Sequence, residues 1–344
     1  MSRQTILITG ANKGIGLALV EEVLHAQPDV YVLLGSRDAA RGTASRTALL
    51  LTHPEWASRI EVIQIDVLSD ASVAAAAKAV AMHVPLAAIV NNAGGGNTES
   101  DHESHELNFR GAARVTSAFL PLLKRPGGRI VNMSSSAGPM IVSQCTPERI
   151  AQLTDPSITW ERLTALEAEW TTARTSGTLA AAGFCAPEAL GGYASSYAYF
   201  VAKALLGAYT LHLAREHPDL VVVSKFVAAT ASADSTRCCL HTHRTLRHES
   251  RHCPTMQTTT APGFIKTDAW LAIAKEANKT LDELTAEYAL LPPKAGTTSA
   301  MRALFGDVVS GAYYGSPAAD ALRARYDLVR QPGEPEYNPG DDAA

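Results

Sequence analysis

The chain has 344 residues, 46% of them hydrophobic and 19% charged, with a formal net charge of −4. This composition excludes a disordered chain and leaves room for one large α/β domain or two small ones; the small net charge argues against nucleic acid or a membrane surface as partner. Five cysteines, three of them at Cys238, Cys239 and Cys253, imply no disulfide framework and fit a reducing, cytoplasmic compartment.

The apolar run Gln4–Thr9 predicts a strand beginning almost at Met1, so no signal peptide is expected. It leads directly into Gly10, Gly14 and Gly16, and helical periodicity covers Ile15–Ala26. Glycine is required where a turn takes positive φ or a diphosphate approaches the backbone. A helix N-terminus then offers free N–H groups and a positive dipole end to the phosphates. The competing reading is a Gly-rich β–α turn with no ligand.

Val30–Leu34 predicts a second strand and Arg37–Leu51 a helix. Where an NAD site usually has an acidic residue for the ribose 2′-hydroxyl, this chain has Ser36 followed by Arg37. A guanidinium can grip a 2′-phosphate through paired hydrogen bonds, and Lys13 adds a second positive charge. NADP(H) is the cofactor expected; the alternative is that both cations are solvated surface groups.

Ile60–Ile65 reads as a strand, Asp70–Met82 as a helix, and Leu86–Asn91 as a strand ending in Asn91-Asn92-Ala93-Gly94. The apolar window from Ala71 to Val90 contains Lys78, His83 and Pro85, so it is a helix and a buried strand rather than a membrane span. A long helix over Glu106–Lys124 and a strand at Arg129–Met133 follow, the strand opening into Ser134-Ser135-Ser136. Alternation of this kind predicts a parallel sheet covered on both faces.

The pattern then breaks. Residues 139–192 read as a helical insertion of one or two helices, including Ile158–Arg174. Next comes Tyr199-Phe-Val-Ala-Lys203, and a helix brings residues four apart onto one face. The ammonium is expected to lower the phenol pKa, so that the tyrosine can exchange a proton with a carbonyl or alcohol oxygen.

After a strand at Leu220–Val223, residues 225–260 show no periodicity and are expected to form a disordered insertion, one source of which would be a retained intron. His248 and His252 with the cysteines raise a zinc site. Cys238 and Cys239 are adjacent and no Cys-x2-Cys is present, so no metal is expected. The basic stretch Arg244–Arg251 reads as a solvated loop rather than a polyanion site. The pattern resumes at Ala261-Pro262-Gly263, with a helix near Lys294–Leu304 and a short strand near Ala312–Tyr314. The Pro-, Gly- and Asp-rich tail 331–344 is expected to fray.

In this order, Thr9-Gly10-Ala11-Asn12-Lys13-Gly14-Ile15-Gly16, Asn91-Asn92-Ala93-Gly94, Ser135 and Tyr199-x3-Lys203 resemble the short-chain dehydrogenase/reductase family, and within it the monomeric carbonyl-reductase branch. The resemblance implies one Rossmann-type α/β domain over residues 1–330, with a doubly wound parallel sheet of about seven strands and helices on both faces. It implies a catalytic tetrad. Asn108 would hold a relay water, Ser135 would donate to the substrate oxygen, Tyr199 would give the proton, and Lys203 would tune the tyrosine and bond the nicotinamide ribose. Val131-Asn132-Met133 and Ala137-Gly138 align Ser135 to its role; Ser134 and Ser136 are the one-residue alternatives. Tyr197 is a decoy, because Val201 stands four residues after it.

The resemblance also assigns cofactor contacts. They come from Gly10, Asn12, Lys13, Gly14, Ile15 and Gly16 in the first turn, from Arg37, and from Asp66 and Val67 near the adenine. Asn92, Ala93 and Gly94 follow, with Asn91 bracing the backbone. Pro262, Gly263, Ile265 and Thr267 form the turn at the nicotinamide carboxamide. Tyr193 is expected at the pocket; Trp160, Trp170 and Phe184 either reach the substrate or pack within the insertion.

The function expected is NADPH-dependent reduction of a ketone, aldehyde or quinone by a monomer acting on a small molecule. The alternatives are an NAD-linked alcohol dehydrogenase and a non-catalytic cofactor-binding protein inactivated by the 225–260 segment.

Overall fold

A computed structural model describes residues 3–226 except 97 and 99, together with 280, 294, 297–306, 308, 310 and 313–314. In chain order the elements are β1 (Gln4–Ile8), α1 (Gly14–Ala26), β2 (Val30–Ser36), α2 (Ala39–Thr52), β3 (Ile60–Gln64), α3 (Asp70–Val80) and β4 (Leu86–Asn91). They continue with α4 (Asp101–His105), α5 (Gly111–Phe119), β5 (Arg129–Ser134), α6 (Ala137–Val142), α7 (Pro147–Leu153), α8 (Trp160–Thr175) and α9 (Tyr197–Glu216). The last are β6 (Val221–Phe226), α10 (Thr298–Phe305) and β7 (Tyr313–Tyr314).

The seven strands form one parallel sheet in the order β3-β2-β1-β4-β5-β6-β7. Strand order reverses between β1 and β4, and it is outside the carboxyl ends of the strands at such a reversal that open α/β sheets bind their ligands. Alternate residues of each strand face opposite sides. Ile6, Ile8, Val32, Leu34 and Val90 pack with α1 and α10, whereas Leu7, Leu33, Ile89 and Ile130 pack with α3, α5 and α9. This two-sided burial is why the strands read as near-continuous apolar runs.

Local capping sets several helix starts. Asp38, Ser69, Ser100 and Thr159 accept from the backbone N–H groups of Arg41, Ser72, Glu103 and Arg162. Helix α9 is buried around most of its circumference, because it lies between the sheet and the insertion. None of the helices among the described residues is long and apolar enough to cross a membrane.

Three expectations need correction. The single helix over Glu106–Lys124 is instead α4, a π-helical turn at Glu106–Arg110, and α5, which gives way to a 3-10 turn at Leu120–Leu122. Ser100 starts it early, and Pro121 cannot continue it. The segment after β5 carries more helix than expected: α6, α7, α8 and a 3-10 stretch at Pro187–Ser196. Finally, β6 does not stop at Val223. It pairs with β5 as far as Ser134 opposite Phe226, so the first two residues of the expected irregular stretch are strand. Residues 227–260 and the tail 331–344 lie outside the described residues.

Candidate active site

The turn after β1 is built by close contact with the turn after β4. The Thr9 hydroxyl donates to the Val90 carbonyl at 3.3 Å and accepts from the N–H groups of Asn92 and Ala93, both at 3.0 Å. Asn92 Nδ2 donates to the carbonyls of Thr9 (2.8 Å) and Gly10 (3.1 Å). Gly10 has φ +62°, and a Cβ there would lie 2.8 Å from Ala93 Cα; a Cβ on Gly16 would lie 2.7 Å from the Gly10 carbonyl oxygen. Side chains are therefore excluded from both positions.

The first turn of α1 holds no acidic residue, and its N-cap, Lys13, provides no side-chain cap. Its free N–H groups and dipole suit an anion. A dinucleotide diphosphate fits this cradle.

Of the other expected cofactor positions, the described ones follow the carboxyl ends of β1, β2, β3 and β4. Asn12 accepts from the Ser45 hydroxyl through its carbonyl at 2.7 Å, and Ile15 is half-buried in the first turn of α1. Ser36 is buried, and its hydroxyl is committed to the Asp38 carbonyl at 2.7 Å; Lys13 and Arg37 are exposed. Asp66 follows β3, with Oδ1 accepting from the Leu68 N–H at 3.0 Å. Val67 is buried against Gly111. Asn91 Nδ2 donates to Thr116 Oγ1 (2.9 Å) and Asn132 Oδ1 (2.8 Å), so the side chain that braces the glycine turn is that of Asn92. Pro262, Gly263, Ile265 and Thr267 lie outside the described residues, as does the His- and Cys-containing stretch. Among the described residues no cluster of three His, Cys, Asp or Glu side chains could hold a metal.

Helix α9 carries Tyr199 and Lys203 to the carboxyl end of β5. Lys203 Nζ lies 5.5 Å from the centroid of the Tyr199 ring and donates to the Met133 carbonyl at 2.9 Å. The Ser135 side chain acts on the Tyr199 phenol in the sense that favours its phenolate, and Ser135 Oγ accepts from the Ala137 N–H at 3.2 Å. The Ser134 hydroxyl instead meets the Lys203 carbonyl at 3.5 Å, and Ser136 occupies the N-cap of α6. Gly138 makes this juxtaposition possible: a Cβ there would stand 2.9 Å from the Lys203 carbonyl oxygen.

Asn108 approaches from the π-helical turn. Its Nδ2 donates to the carbonyls of Gly95 (2.8 Å) and Ser104 (3.0 Å), and its Oδ1 accepts from the Gly95 N–H at 2.9 Å. A Cβ on Gly94 would be 2.8 Å from Asn108 Oδ1 and 3.4 Å from Lys203 Nζ, so these two groups converge on Gly94. The structure thus brings Asn108, Ser135, Tyr199 and Lys203 to one end of the sheet.

The electrostatics correct one expectation. Burial raises the pKa of the Tyr199 phenol, and the neighbouring Ser135 side chain opposes the rise without cancelling it. The ammonium is directed at the Met133 carbonyl rather than at the phenol oxygen, and is itself affected: burial lowers the Lys203 pKa to about 8.

Tyr197 points elsewhere. It is buried, its pKa is pushed up to about 12 by burial, and its hydroxyl donates to the Cys185 carbonyl and accepts from Trp170 Nε1. Tyr193 is partly buried, with its ring 5.9 Å from that of Phe200. Trp160 packs among Phe109 and Tyr209, Trp170 against His105 and Tyr197, and Phe184 under Arg149. Trp160 and Trp170 therefore dock the insertion onto residues 105–109 and α9, and only Phe184 is paired within the insertion itself. The Met133 carbonyl and Gly95 complete the site. Neither contact was visible in the sequence, because backbone groups carry no residue-type signal.

Residues 4–147 match the family model described as short chain dehydrogenase. The chain is 30% identical over 258 residues to a (+)-neomenthol dehydrogenase of Arabidopsis thaliana, an alignment covering 63% of this chain and 79% of that protein. The chain belongs to the short-chain dehydrogenase/reductase family. Another family member, carbonyl reductase (NADPH) 1 of Sus scrofa, is 36% identical over 169 residues, 46% of this chain; the chain spans 56% of that relative's length, less than two thirds. Among solved family structures, menthone neomenthol reductase from Mentha piperita superposes with a TM-score of 0.57 at 25% identity, covering 66% of this chain and 90% of that one. The family's doubly wound sheet is the architecture described above.

Proposed function

We propose that this chain reduces a carbonyl compound (a ketone, aldehyde or quinone) to the alcohol with NADPH. The observation that carries the reading is the convergence of Lys203 on the Tyr199 ring (Nζ 5.5 Å from its centroid) and on Gly94 beside Asn108, with the Ser135 side chain acting on the same phenol. When bound, the nicotinamide supplies the hydride. The Tyr199 hydroxyl gives its proton to the carbonyl oxygen as negative charge develops there. The Ser135 hydroxyl donates to that oxygen and stabilises it. Lys203, anchored by the Met133 carbonyl, would bond the nicotinamide ribose. Asn108, through Gly95, holds the loop between the lysine and the glycine turn. Gly10, Gly14, Gly16 and the first turn of α1 would take the diphosphate, and Arg37 with Lys13 the 2′-phosphate. The relatives named as dehydrogenases and reductases of carbonyl and alcohol compounds support this chemistry.

We also expect a monomer, because α8 and the 3-10 stretch cover α9 and leave less of it for a second copy.

The test is a panel of ketones, aldehydes and quinones with purified full-length chain, following NADPH and NADH consumption. NADPH-linked turnover that falls by roughly 10²–10⁴ in Tyr199→Phe is the expected result. Turnover with NADH alone, or undiminished turnover in Tyr199→Phe, would overturn it. NADPH binding with no turnover on any carbonyl would favour a cofactor-binding protein without catalysis.

A further inference from the structure

The buried carboxylate of Glu167 in α8 has two partners, and both belong to the segment that carries Asn108. Glu167 Oε1 pairs with His105 Nδ1 at 3.2 Å, and Oε2 pairs with Arg110 Nη2. His105 immediately precedes the π-helical turn Glu106–Arg110, and Arg110 is its last residue. One carboxylate therefore ties both ends of a five-residue turn with Asn108 at its centre. Single π-turns inside helices are frequent at functional sites.

The setting makes this contact consequential. Glu167 and His105 are only 8% and 4% exposed. Desolvation opposes charge on Glu167, yet the hydrogen bonds from His105 and Arg110 and their charge hold its carboxyl below the ordinary range. Removing one member of such a buried set leaves the others uncompensated. Neighbouring contacts fix the same seam: Trp170 stacks on His105 at 4.5 Å, Arg174 pairs with Asp101 at 3.0 Å, and the Arg110 guanidinium lies 5.3 Å from the Trp160 ring centroid. By contrast, the partners of Glu169, two residues on, lie within the insertion among the described residues: Arg149 and Arg162.

We propose that Glu167 is a positioning residue. It holds the π-helical turn so that Asn108 keeps its two-way hydrogen bond with Gly95, and thereby keeps the Gly94–Gly95 backbone in place beside Lys203. The insertion would then be part of the catalytic apparatus. This inference rests on the carbonyl-reductase reading for its kinetic arm only.

Glu167→Gln keeps the shape and removes the charge. The expected result is a fall in kcat of roughly ten- to a hundredfold with the KM for NADPH within about twofold of wild type. Glu167→Asp should recover part of the loss. In an Asn108→Ala background the Glu167→Gln change should lower kcat no further, since it acts through Asn108. Glu169→Gln, on the same helix, should leave kcat unchanged.

Backbone hydrogen exchange on the full chain supplies a readout independent of turnover: Glu167→Gln should speed exchange in residues 104–110 and 93–96 together. Faster exchange confined to α8, unchanged kcat, or a loss of equal size in the Asn108→Ala background would overturn the proposal. If wild type turns over no carbonyl, the functional reading fails, and the exchange experiment still decides the positioning claim.

Discussion

Lys203 donates to the Met133 carbonyl at 2.9 Å, which anchors its ammonium at the end of β5, 5.5 Å from the centroid of the Tyr199 ring. A charge is thereby fixed in a place where solvent does not reach it, since Lys203 is only 5% exposed.

The cost of that burial depends on pH in a definite direction. Burial lowers the Lys203 pKa from 10.5 to about 8. Below about pH 8 the amine is charged in folded and unfolded chains alike, and the full cost is present. Between about pH 8 and 10.5 the folded chain has lost the proton that the unfolded chain keeps, so stability contributed by this group rises with pH. Lys203→Met should therefore stabilise the cofactor-free protein by about 1–3 kcal/mol at pH 7, after allowing for the lost Met133 hydrogen bond. The gain should shrink toward pH 10, and turnover should be abolished. Urea unfolding at both pH values checks the sign.

A methyl group at Gly16 tests the cradle. Its Cβ would stand 2.7 Å from the Gly10 carbonyl oxygen and crowd the Asn92 amide. Gly16→Ala should cost about 1–3 kcal/mol of stability. It should also weaken NADPH binding at least tenfold, as the turn moves away from its phosphate-binding shape. Fluorescence titration with NADPH and a thermal melt separate the two effects.

Cofactor choice should rest on Arg37. The neighbouring Ser36 hydroxyl is already bonded to the Asp38 carbonyl, while Arg37 is exposed beside it. Arg37→Asp removes the fork that would grip a 2′-phosphate and supplies an acceptor for a 2′-hydroxyl. The dissociation constant for NADPH should rise by roughly ten- to a hundredfold while that for NADH falls or holds. Equal changes for the two cofactors would show that Arg37 does not read the 2′ position.

A buried polar ladder supports the site from below. Asn91 Nδ2 donates to Asn132 Oδ1 at 2.8 Å, and Asn132 Nδ2 donates to Thr210 Oγ1 at 2.9 Å, linking β4, β5 and α9. Asn132→Ala leaves Asn91 with a single partner, Thr116, and strips Thr210 of a donor. The variant should lose about 1–3 kcal/mol in denaturant unfolding.

Much of the fold was legible because strands buried on both faces and helices between them leave a strong local signature. The starts of β1, β2, β3, β4 and β5 follow directly from their apolar runs. Helix boundaries were less legible around Asn108, where the π-helical turn follows from packing against α8 rather than from any residue preference. The glycine turn could be read because its residues are dictated by backbone geometry. Tyr199 could be separated from Tyr197 by its spacing to Lys203.

Sequence alone therefore determined the layered parallel architecture and the candidate groups at its carboxyl edge, since periodicity and glycine placement are local properties of the chain. The tertiary structure decided which way those groups titrate and what holds them. Desolvation of Tyr199 and Lys203 depends on what packs around α9, and the Glu167 tie to His105 and Arg110 joins segments about 60 residues apart (62 and 57 in sequence). No local pattern encodes a contact of that range, because its energy exists only once the insertion has folded onto the helix beside it.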